Sequence, residues 1–106
     1  MVFDISKVTG IGEYEVETRK EESKGSSRFD VYKVKGHAFL IVNSHTIEVR
    51  TDEKLKKLLV EKNESVMESL YFGRGGIEIV MEGQQLRDDE IWDLVRLSYN
   101  MTKEFE

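Results

Sequence analysis

Two histidines, one glycine-rich tetrapeptide, a knot of basic residues, two acidic pairs and three serines are where this chain could do chemistry. His37 and His45 are too far apart to share a metal. Eight residues of strand at about 3.3 Å each set them roughly 25 Å apart, and the register below places them on opposite faces. Gly73-Arg74-Gly75-Gly76 could bare backbone N–H groups to a phosphate, with Arg74 adding charge. It lacks the Lys-Ser/Thr of a phosphate-binding loop and leads into a strand, so a tight turn or bulge accounts for it. Asp88-Asp89 and Glu21-Glu22 are explained by a helix start and a solvated loop. Ser26, Ser44 and Ser98 have no base and orienting acid at recognisable spacing. With no cysteine, a thiolate nucleophile is excluded. The expectation is a chain without catalytic residues, bound metal or cofactor, and not an enzyme.

Binding is the remaining chemistry, and it depends on how the stretch RFDVYKVKGHAFLIVNSHTIEVR (Arg28–Arg50) folds. Lys35-Gly36 and Asn43-Ser44 have the length and residue type of two-residue hairpin turns, which predicts a three-stranded antiparallel meander. Val34 then faces His37, Tyr32 faces Phe39, Val42 faces His45 and Leu40 faces Ile47. Alternation places Phe29, Val31, Ala38, Leu40, Val42, Ile47 and Val49 on a core face. The outer face collects Tyr32, Val34, Phe39 and Ile41 beside Asp30, Thr46, Glu48 and Arg50. Lys33, Lys35, His37 and Arg50 gather at the first hairpin tip.

The flanking elements follow from periodicity. A short helix is predicted near the start, stopped by Gly10 or Gly12, then an edge strand over 13–18 with Tyr14, Val16 and Thr18 on one face. Residues 19–27 (RKEESKGSS) read as a mobile polar loop. Thr51 is a candidate helix cap before the Leu55, Leu58, Leu59 stripe, with Asn63 as the stop. A second short helix is predicted over 64–72, with Val66, Met67, Leu70 and Tyr71 on one side. A strand follows over 77–82. The final helix starts at Asp88, with Ile91, Leu94, Val95, Ser98, Thr102 and Phe105 on its stripe. The expected architecture is α+β in two layers: one antiparallel sheet of about five strands with two to four helices mainly on one face. At 106 residues it is one domain, 1–106.

The segments "VYKVKGHAFLIV", "HTIEVRTDEKLKKLL", "IEIVMEG" and "LRDDEIWDLVRLSYNMT" resemble the MmcQ/YjbR-like family of small bacterial proteins. The matching positions are Gly36, Phe39, Thr51-Asp52-Glu53, Asp88-Asp89-Glu90 and Ser98-Tyr99, with Lys7-Val8-Thr9-Gly10 after the first helix. The family usually has a longer first helix than the short one read here. Its His-Met-Asn…His-Trp stretch is replaced by Leu70–Gly76, which has neither histidine nor tryptophan, so no role tied to that stretch carries over. The resemblance implies a two-layer fold similar to that of secretion chaperones. DNA binding comes with it on fold analogy alone.

A net charge of −5 and a pI near 5.1 repel a phosphate backbone at long range, so the electrostatics of the whole molecule argue against a nucleic-acid partner. No apolar run reaches the ~18–20 residues of a membrane span, and MVFDISKV has no basic leader region, so a cytoplasmic protein is expected. Tyr32, Val34, Phe39 and Ile41 need a cover. The sequence leaves three open: a helix or loop of the chain itself, another copy or partner protein, or a small apolar ligand. The leading expectation is a non-enzymatic protein-interaction module, homodimerising through the outer face of the 28–50 meander. The alternative is a nucleic-acid-binding protein using Lys33, Lys35, His37 and Arg50, with Tyr32 and Phe39 stacking.

Overall fold

Lys35 and Gly36 both take positive φ (53° and 83°), the backbone a two-residue reversal demands, and the first hairpin closes there as predicted. The computed structural model describes residues 3–21, 27–83 and 85–105. After a short 3-10 turn at Ile5–Lys7 come β1 (Glu15–Glu21), β2 (Ser27–Val34), β3 (His37–Val42) and β4 (Thr46–Arg50). Helix α1 (Glu53–Lys62), β5 (Val66–Ser69), β6 (Gly73–Val80) and α2 (Asp88–Lys103) complete the chain. Among the described residues, six strands form one antiparallel sheet in the order β1-β2-β3-β4-β6-β5. Both helices contribute to the same hydrophobic cluster, so the architecture is α+β with the helices on one face.

Several local expectations are corrected. The segment 64–72 is a strand and hairpin loop, because Val66 and Met67 pair with Ile79 and Glu78. Gly73–Gly76 lies inside β6, which ends at Val80. Residues 19–21 extend β1 and Ser27 opens β2; the rest of the expected mobile loop, 22–26, lies outside the described residues. Asp52, not Thr51, caps α1: its carboxylate accepts the Leu55 N–H at 2.7 Å, while the Thr51 hydroxyl is buried without a partner.

The meander departs from its predicted register in two ways with different consequences. The second turn falls on Ser44-His45, one residue late, with the Asn43 side chain accepting from the His45 and Thr46 N–H groups. Val42 therefore pairs with Ile47 and Leu40 with Val49. Each pairing slips by two, which preserves the faces, and Leu40, Val42, Ile47 and Val49 enter the core as expected.

In the first hairpin a bulge intervenes. Lys33 pairs with Ala38, but Tyr32 pairs with Leu40, leaving Phe39 as an extra residue. A slip of one inverts β2. Phe29, Val31 and Ala38, assigned to the core face, form a second cluster with Ile41 on the other side of the sheet. Tyr32, Val34 and Phe39, assigned outward, pack beneath the helices.

Candidate interaction surface

The four residues predicted to make an apolar outer patch are thus divided. Tyr32, Val34 and Phe39 belong to the main cluster, where Phe39 is edge-on to Tyr99 with ring centroids 5.1 Å apart. Burial raises the Tyr32 phenol above its usual pKa. Ile41 alone keeps its predicted side, and it is covered by the chain's own β5–β6 loop.

That loop crosses the outer face and is fastened at several points. Phe72 packs on the Val31, Ala38 and Ile41 cluster. Glu48, buried on this face, accepts through Oε1 from the Ser69 hydroxyl (2.7 Å) and the Tyr71 N–H (2.9 Å). The Ser69 hydroxyl in turn accepts the Phe72 N–H. Arg19 of β1 donates to the Tyr71 hydroxyl at 3.2 Å, tying the loop to the far strand. The Arg50 guanidinium lies 4.6 Å from the Phe72 ring centre and 4.8 Å from that of Phe105, and burial lowers its pKa. Of the three covers left open by the sequence, the chain itself supplies this one.

The basic cluster predicted at the hairpin tip is not assembled as a free patch. Arg50 is held between two rings, donating from Nε to the Ala38 carbonyl. Lys33 pairs with Glu17 at 2.7 Å. The His37 ring meets Phe105 at 5.4 Å. Lys33 and Lys35 line an open cleft of about 650 Å3 together with Glu13 and Glu15, so acids match the lysines there. His45, at the other turn, pairs with Glu82 at 2.9 Å.

The Glu17 carboxyl offers a direct readout of this arrangement. Hydrogen bonds from Arg19 and then Lys33 depress it from 4.5 to about 2. A depressed folded-state value stabilises the fold above pH 4.5, and this contribution disappears as pH falls from there through about 2. Carboxyl NMR is expected to find the Glu17 midpoint near 2 and, in Arg19→Gln, moved back toward 4.5. A midpoint near 4.5 in the unaltered chain would show that the pairing is not made in solution.

On the helical face, exposed apolar side chains do collect, and the two helices position them. β4 delivers the chain into α1 at the Arg50 end of the sheet, while α2 finishes at that end, where Ser98 bonds the Arg50 N–H. The helices therefore run in opposite directions, α1 over β5 and β6, α2 over β3 and β4. Lys56 turns one flank of α1 to the edge, pairing with Glu68 at 2.6 Å and lowering that carboxyl's pKa. At 100° per residue, Leu58 is then on the flank turned toward α2. Arg96 and Tyr99 bond the Thr9 and Glu13 carbonyls on the β1 side, which turns Leu97 and Met101 toward α1 and solvent. Leu58, Leu97 and Met101 are 47%, 48% and 36% exposed. A shallow depression of about 460 Å3 lies along α1 beside Leu55 and Leu58, bordered by Lys54, Lys57 and Glu61. None of these was singled out in the sequence as a contact residue, because Leu58 reads as part of the core stripe.

Among the described residues, no group of three or more histidine, aspartate or glutamate side chains could hold a metal ion. Among the same residues, no helix is long and apolar enough to cross a membrane. Compared with known proteins, the chain matches no family model, no curated protein and no solved structure.

Proposed function

We propose that this chain is a non-enzymatic protein-interaction module whose contact surface is the outer side of α1 and α2. The observation that carries the reading is the exposure of Leu58, Leu97 and Met101 on the outer side of the two helices. Large apolar side chains scattered singly need no explanation, but three on one helical layer are what a partner would bury. The resemblance to the MmcQ/YjbR-like family is likewise a proposal. It is supported by where its motif residues fall: Gly36 at a turn, Asp52 and Asp88 at helix starts, Ser98 and Tyr99 buried in α2.

Methionine oxidation tests the reading with an internal control. Met101 and Met67 are similarly exposed (36% and 42%), the first on the helical layer and the second on the opposite side of the sheet at β5. In the purified chain at high dilution both are expected to form sulfoxide at comparable rates. In the cells that make the protein, Met101 should react several-fold more slowly than Met67. Equal reaction of the two in cells would sink the reading.

A further inference from the structure

Arg50 ends β4 as a partly buried cation for which the chain supplies no counter-charge. Among the described residues, no carboxylate lies within ion-pair distance of it. Glu48, two residues back on the same face of the strand, directs Oε1 to Ser69 and Tyr71 instead. The Arg50 Nε is fixed by the Ala38 carbonyl at 2.8 Å, whereas neither terminal amino group has an acceptor among those residues. Neither is sealed from water, since the buried polar atoms left without a partner are the hydroxyls of Thr46, Thr51 and Ser65. Phe72 and Phe105 hold the guanidinium at 4.6 and 4.8 Å, and ring faces attract a cation without neutralising it. Removing such a charge from water is unfavourable until an anion meets it, and burial accordingly lowers its pKa. We propose that the Arg50 guanidinium binds the carboxylate of a small aromatic acid, with Phe72 and Phe105 as the walls of the site. This stands apart from the helical contact surface and does not depend on it.

The ligand class follows from the donors. Two terminal amino groups in one plane match the two oxygens of a carboxylate, a paired geometry that a lysine cannot offer. The Nε bond and the two rings fix that plane beforehand, so little ordering remains for binding to pay. One uncompensated positive charge in a chain of net −5 suits a monoanion. A phosphate dianion would keep half its charge unmatched and be repelled by the rest. Tyr71, whose phenol is close enough to act on the Arg50 charge, adds a donor. Its hydroxyl accepts from Arg19, which leaves its own proton for an oxygen of the ligand. Phe105 is 38% exposed and offers ring surface to an aromatic body behind the carboxylate.

The test is proton–nitrogen NMR on the full chain near neutral pH, with benzoate as the probe. The Arg50 Nε–H signal is expected to move and saturate, half-complete at about 1 mM. Benzyl alcohol, the same ring without the charge, should leave the signal in place. Inorganic phosphate should bind at least about tenfold more weakly than benzoate. So should the α-amide of N-acetylglutamate, which presents the side chain of an acidic protein partner. Phe105→Leu and Tyr71→Phe both alter exposed side chains, so the fold should persist while benzoate binding weakens by about three- to tenfold in each. A signal unmoved by benzoate, or moved equally by benzyl alcohol, would overturn the proposal. So would benzoate binding unchanged in both variants, since the ligand would then sit elsewhere. Phosphate as tight as benzoate would make Arg50 an unselective anion contact, and the glutamate amide as tight would make it a contact for protein; either result removes the small aromatic acid.

Discussion

Gly76→Ala is expected to lower the thermal midpoint by roughly 10–20 °C, the equivalent of about 2–3 kcal/mol in a domain of this size. A Cβ built on Gly76 lies 2.4 Å from the Val49 carbonyl oxygen and 2.9 Å from the Phe72 Cβ. The first neighbour is sheet backbone, fixed by the pairing of β4 with β6, in which Arg50 opposes Gly76. The second is the root of the side chain that closes the outer cluster. An added methyl must push one of them, so either the ladder opens or the β5–β6 loop lifts from Val31 and Ile41. Gly75→Ala is the control, because its Cβ would meet the Phe72 carbonyl at an ordinary 3.5 Å. Calorimetry that found the two variants equally stable would show that neither the Val49 carbonyl nor Phe72 lies over Gly76 in solution.

That pair of glycines also marks where the sequence stops being informative. Gly73–Gly76 reads as a tight turn or bulge, yet it lies inside β6, and the reason for its glycines lies in β4 and in the loop, neither of which is local. The α2 helix was legible because its apolar period and its three leading acids agree. So was β4, where Thr-Ile-Glu-Val-Arg alternates without ambiguity. The β3 run His-Ala-Phe-Leu-Ile-Val is apolar from Ala38 to Val42 and buried throughout that span, so no polar residue marks the inserted Phe39. Alternation cannot reveal a bulge in such a run, and one undetected residue inverted β2. The segment 64–72 failed for another reason: apolar residues at 66, 67, 70 and 71 suit a helix or a hairpin equally. Leu70, 83% exposed at the loop tip, shows that its spacing was not amphipathic packing. Glu48 was correctly turned outward, yet its burial depends on Ser69 and Tyr71, more than twenty residues on.

The same bulge gives Ser98 its task. Where Phe39 is inserted, its carbonyl and the Arg50 N–H no longer bond each other, and the Ser98 hydroxyl enters between them. It donates to the Phe39 oxygen at 2.6 Å and accepts from the Arg50 nitrogen at 2.9 Å, wholly buried. Ser98→Ala leaves a buried C=O and a buried N–H unpaired, at about 1–3 kcal/mol each, so a loss of about 2–4 kcal/mol is expected. The volume removed is one oxygen atom, too small to admit a bridging water. Amide hydrogen exchange at Arg50 should quicken by more than about a hundredfold, the local counterpart of that loss. Thr102→Val is the comparison, since the Thr102 hydroxyl only adds a bond to the Ser98 carbonyl one turn back. Its loss should cost about 1 kcal/mol or less. If Ser98→Ala melted with Thr102→Val and left Arg50 exchange unchanged, the strand ends would have to satisfy themselves, and the bulge would need another explanation.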